Sequence, residues 1–130
     1  MPIELYALLI MTLFFLMAWL PASAAKRRAY GRAYLLSNRD QTDLPPLPPW
    51  GDRANRAYEN LKSYFPAFVV AVLVLGREGR SDGAIGIAAG LYVAGRIAHF
   101  VLYTAGAVSG RALGWFVALV ANLYLLVRCF

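Results

Sequence analysis

From residue 3 to residue 25 the chain carries one charged side chain, Glu4, in an otherwise apolar run. That run is long enough to cross a bilayer core, which takes about 20 helical residues. Three further apolar stretches follow, near residues 53–76, 84–108 and 111–129. A chain with four such stretches has few ways to fold. In lipid every backbone polar group needs an internal partner, so each stretch becomes a helix and the helices pack together. The expected fold is all-α, an integral membrane four-helix bundle formed as one domain over residues 1–130. Composition agrees, with 60% hydrophobic and 15% charged residues where a soluble domain has about 25% charged. The apolar excess and the single cysteine, Cys129, exclude a disordered chain or a disulfide-stapled one.

The breaks between the stretches are read from local chemistry. Pro21-Ala22-Ser23-Ala24-Ala25 imitates a signal-peptide cleavage site, but no cation precedes the apolar run and Lys26-Arg27-Arg28 follows it. A retained helix with a basic stop is preferred to a cleaved leader. Residues 26–52 form the one long polar loop. Its Leu44-Pro45-Pro46-Leu47-Pro48-Pro49-Trp50-Gly51 run resists helix because proline lacks the amide donor and restrains its predecessor. Asp52 is the expected N-cap of the second helix, and Pro66 is expected to kink it. Gly and Ala in the third helix permit close packing in lipid, and Ser109-Gly110 is the expected break before the fourth.

Thirteen Lys and Arg against seven Asp and Glu give a net charge of +6. Nucleic acid is not implied, because these cations crowd beside apolar runs, where they set orientation. Nine fall on one side: Lys26, Arg27, Arg28, Arg32, Arg39, Arg53, Arg56, Lys62 and Arg111. Three, Arg77, Arg80 and Arg128, fall on the other. The positive-inside rule then makes the Pro-rich loop cytosolic and both termini non-cytosolic.

Arg96 belongs to neither side, since it lies midway along the third helix. Ionisable groups inside a span are costly, face protein or a wet cavity, and mark function. Arg96, His99 and Tyr103 are three and four apart and share one helix face, with Tyr92 one turn earlier. Arg96 and His99 are expected to face protein at a subunit interface, with Arg96 hydrogen-bonded. On the second helix Arg53, Arg56, Asn60 and Ser63 or Tyr64 form another stripe. Arg111 and Arg27 or Arg28 bring cations from the remaining helices to the same end, an arrangement suited to a flexible anion. A lone His without neighbouring Cys or carboxylates makes no metal site. No nucleophile is evident in the chain, so chemistry here needs a diffusible cosubstrate.

Arg53-Ala54-Asn55-Arg56-Ala57-Tyr58-Glu59-Asn60-Leu61-Lys62-Ser63-Tyr64-Phe65-Pro66 resembles the second-helix signature of the MAPEG family, the membrane-associated proteins of eicosanoid and glutathione metabolism. Gly95-Arg96-Ile97-Ala98-His99-Phe100-Val101-Leu102-Tyr103 is most similar to the third-helix motif of that family's prostaglandin E synthases. The resemblance implies a homotrimer that binds glutathione between subunits and acts on a lipophilic small molecule from the membrane lipids. It implies that Arg27, Arg56, Asn60, Tyr64, Arg96, His99 and Tyr103 hold the tripeptide and that Arg111 stabilises its thiolate. The implied activity is a glutathione transferase or peroxidase. Ser63 departs from the family pattern, which carries a Glu in this region, and Glu59 one turn away is the available substitute. The departure keeps a second reading open, a noncatalytic lipid-binding or accessory subunit of a larger membrane complex. A small transporter fits less well, because the cations gather at one end.

Overall fold

The computed structural model describes residues 1–130. The first apolar run is two helical segments, α1 (Ile3–Met17) and α2 (Leu20–Tyr30), separated at Ala18 and Trp19. Pro21 explains the interruption. It has no N–H for the carbonyl of Met17 four residues back and its ring crowds that carbonyl, so α1 ends there. Together the segments form one candidate span of 28 residues. The helix therefore runs past its expected end at residue 25, and Lys26-Arg27-Arg28 are helical. Gly31, at φ 84°, stops α2, and a single turn, α3 (Arg32–Leu35), follows. The polar loop is thus shorter than expected.

The second span, α4 (Pro49–Arg77), begins earlier than residue 53. Proline was expected to exclude helix, but at the first helical position its missing N–H is one that would be unpaired anyway. Asp52 consequently lies inside the first turn, not at the N-cap, where a negative charge favours the helix dipole. The helix continues through Pro66.

Asp82 caps α5 (Gly83–Ala105) by accepting the Ile85 N–H at 2.8 Å. The helix stops at Ala105, short of the expected 108, because Gly106 takes the left-handed conformation at φ 89°. The Ala107 N–H bonds to Leu102 O and the Gly106 N–H to Tyr103 O, the paired pattern that closes a helix on a left-handed residue. The last helix, α6 (Val108–Val127), starts at once. Ser109 and Gly110 lie in its first turn, so the break sits three residues earlier than the sequence suggested.

More than half of the apolar window of α5 is buried, against about a third or less for the other spans. It is the central helix. Its buried stripe descends through Ile85, Ala89, Tyr92, Arg96 and His99. Tyr92 stacks on Phe68 at 3.9 Å, and Phe14 meets Phe100 edge-on at 5.4 Å. Leu9, Leu13, Val70, Leu73, Ile87, Leu91, Phe116 and Val120 point outward and are exposed. An apolar exterior around a core containing Arg, His, Glu and Asn is the pattern expected of a chain in lipid. Four helices are long and apolar enough to cross a membrane, which makes this a multi-pass integral membrane protein.

Candidate functional site

Where α5 crosses α6, their backbones nearly touch. A Cβ on Gly95 would lie 2.6 Å from Gly114 O, and one on Gly114 would lie 2.8 Å from Gly95 O and 3.0 Å from His99 N. This approach carries His99 to the start of α6, where its Nδ1 lies 2.8 Å from Arg111 O. A carbonyl only accepts, so Nδ1 carries the proton, and in the neutral form of the ring Nε2 is then an acceptor. That Nε2 is buried and has no partner.

Arg96, one turn deeper, is 2% exposed. Its Nη2 donates to Asn60 Oδ1 at 2.9 Å, its guanidinium lies 5.5 Å from the centre of the Tyr64 ring, and Nε has no partner. The Tyr92 hydroxyl donates to Tyr64 O at 3.4 Å. The expectation that Arg96 and His99 are protein-facing and that Arg96 is hydrogen-bonded agrees with this geometry. Both side chains are already buried within one chain, at 2% and 5% exposure, where the glycine crossing brings α6 close to α5.

Nearer the helix ends, Tyr103 bridges two groups. His99 meets its ring edge-on at 5.5 Å, and Arg111 lies over the ring at 4.2 Å. Arg111 is half-buried and has no carboxylate partner. Arg53 joins from α4, donating from Nε to Thr104 O at 3.0 Å and lying 3.4 Å from the position of a Cβ on Gly106.

Of the eight residues singled out from the sequence, one chain therefore brings six together. Arg96, Asn60 and Tyr64 form the inner group, and His99, Tyr103 and Arg111 the outer one. Two stand apart: Arg56 is exposed and pairs with Asp52 at 3.5 Å, and Arg27 is exposed on α2. Glu59 does not occupy the place expected of a substitute carboxylate. It is exposed, pairs with Lys62 at 2.7 Å, and lines a different cleft.

Sequence reasoning missed Asn122 on α6, which is 5% exposed, has an unpartnered Oδ1, and shares a recess with Arg96, Tyr64 and Trp115. Its signal was available, since it is the lone amide in an apolar span and such residues face protein. Glu4 reads in the sequence only as the one charge in the first apolar run, yet its carboxylate is buried without a partner.

A sequence model described as the MAPEG family matches residues 3–130. No curated protein matches the chain.

Proposed function

The chain belongs to the MAPEG family, which includes glutathione transferases and peroxidases among other members, and from that membership we propose a glutathione-dependent membrane transferase or peroxidase acting on lipophilic electrophiles. The observation that carries this reading is Arg111. It is a half-buried guanidinium free of any carboxylate, set against Tyr103 and His99 at the end of the bundle where α4, α5 and α6 converge. Glutathione supplies a thiol nucleophile and two carboxylates. A free thiol has a pKa of about 8.5, and adjacent cations bring it to roughly 3.5–7.5. Arg111 thus favours the thiolate at neutral pH without a protein base. His99 Nε2 and Tyr103 orient the polar backbone of the tripeptide, and Asn60 and Tyr64 are positioned by Arg96. In conjugation the thiol proton leaves to solvent, a carbon–sulfur bond forms, and the leaving group departs with its electron pair. The third-helix motif supports a place near the family's prostaglandin E synthases.

Arg27 and Arg56 enter this reading through assembly. Neither reaches the central cluster of its own chain, and both are exposed at the basic end. A homotrimer supplies a neighbouring surface on which they close over a bound tripeptide, and the apolar exterior delivers the lipophilic substrate from the bilayer.

One observation favours a second reading. Ser63 stands where a Glu is expected, its Oγ donates to Glu59 O at 3.1 Å, and Glu59 is held by Lys62. A site without that carboxylate suits a lipid-binding or accessory subunit. Titration of the purified protein in nanodiscs with glutathione separates the two. The enzyme reading expects saturable binding, weakened about tenfold or more in Arg56→Ala because a hydrogen bond to a charged group is lost. No binding to the wild type favours the accessory subunit.

A further inference from the structure

A second polar cleft, of about 210 Å³, opens between α2, α4 and the loop that joins α3 to α4. It lies on the opposite side of α4 from the site above. At about 100° per residue, Asn55, Tyr58 and Glu59 share one sector of the helix, whereas Asn60 and Tyr64 fall across from it. The two helices that wall it are closely packed, since α2 and α4 meet at Ala25 and Gly51 so closely that a Cβ on Gly51 would collide with the Ala25 side chain.

Its walls are graded from apolar to cationic. Trp19 and Ala22 form one end, Ser23 and Asn55 supply neutral polar groups, and Lys26 and Arg39 supply charge. Glu59 also lines it, but that carboxylate is taken by Lys62 at 2.7 Å. Lys26 and Arg39 have no carboxylate partner. Arg39 is also held in place. It is the one non-glycine residue with positive φ, 62°, a conformation that persists only where the surroundings impose it. Its N–H donates to Ser37 Oγ at 3.1 Å and its Nη2 to Leu35 O at 3.3 Å.

We propose that this cleft binds a phosphate ester, presented by the headgroup of an anionic lipid. A lysine ammonium and an arginine fork are the side chains suited to phosphate oxygens, and Ser23 and Asn55 are placed to meet the remaining polar atoms. The position selects the source. Exposed Trp19 is an aromatic anchor of the kind found at the membrane–water boundary, and Lys26 lies about 10 Å farther along the helix axis, where headgroups begin. Two unpaired cations against one phosphate favour a lipid of net negative charge over one whose ammonium would lie beside them. The inference shares no residue with the glutathione site and does not depend on it.

The test is native mass spectrometry of the full chain in detergent with equal amounts of phosphatidylglycerol and phosphatidylcholine. The wild type retains phosphatidylglycerol preferentially. In Lys26→Gln/Arg39→Gln that preference falls by about fivefold per cation removed. A charge-matched control, Arg32→Gln/Arg77→Gln, keeps it. Lys26→Arg, which preserves the charge, also keeps it, and monodisperse elution with unchanged helical circular dichroism separates lost binding from misfolding. Glycerol 3-phosphate and inorganic phosphate distinguish the sources. Failure to displace the lipid supports the headgroup, and displacement supports the phosphate chemistry with a soluble ester as occupant. Unchanged preference in the double variant, or an equal loss in the control, overturns the proposal.

Discussion

Asp82 ties two helix ends with one carboxylate. Its Oδ1 accepts the Ile85 N–H and caps α5, and its Oδ2 lies 2.6 Å from Arg128 Nη2. The Ile85 N–H, followed by Arg128, holds the Asp82 carboxyl below its usual range, and Arg128 is raised in turn. A lowered folded-state pKa means that this contribution to stability is fully present above the ordinary aspartate value of about 3.9. It is lost as pH falls through the lowered one. Thermal unfolding in nanodiscs is therefore expected to show no dependence on this pair from neutral pH down to about 5. In stronger acid the wild type loses more stability than Asp82→Asn, which already lacks the staple; equal acid slopes would contradict this. Arg80 adds to the staple by donating to Arg128 O at 2.9 Å. The sequence treated both arginines only as topology markers, because a partner 46 to 48 positions away leaves no local signal. The same limit applies to Arg96. Spacing placed it on a shared face with His99 and Tyr103, but Asn60, 36 residues away, became its partner only through the packing of α4 on α5.

The helices themselves were legible from apolar length, and their ends were misread where one residue type serves two purposes. Pro49 reads as a breaker and starts α4, Pro21 reads as part of a cleavage-like motif and interrupts the first span, and Gly106 ends α5 before the Ser109-Gly110 pair that resembles a break. The crossing of α5 and α6 was legible only as a richness in small residues, since nothing in the sequence says which glycine meets which backbone. Gly95 meets backbone on its facing side, so Gly95→Ala has little room to relax and is expected to cost about 1–3 kcal/mol, the usual range for overpacking. A Cβ on Gly90, on the same helix, would meet nothing within 4 Å, and Gly90→Ala should be neutral or mildly stabilising through helix propensity. Comparison of unfolding temperatures for the two variants checks this, and equal destabilisation would contradict the close crossing.

Across the whole molecule, cation asymmetry and the placement of the polar cluster describe one polarity. The proposed orientation puts the loop after α3 in the cytosol and both termini outside it, so a cysteine engineered at the N-terminus should be labelled only from the non-cytosolic side and one in the loop only from the cytosol. The reverse pattern would overturn the orientation and move the proposed glutathione site to the other face. The site was only partly legible for a related reason. Six of its residues lie on helices that meet within one chain, whereas Arg27 and Arg56 project from the surface, where only a partner could give them contacts. The central claim is that Arg111 stabilises a glutathione thiolate, and the most direct measurement is thiolate absorbance of the glutathione complex at neutral pH in wild type and Arg111→Ala. The account predicts a clear thiolate band in the wild type and its marked loss in the variant, since each unit of pKa shift is worth about 1.4 kcal/mol, while much of the tripeptide binding survives. An undiminished band in Arg111→Ala would remove Arg111 from the mechanism, and no band in the wild type would contradict the catalytic reading as a whole.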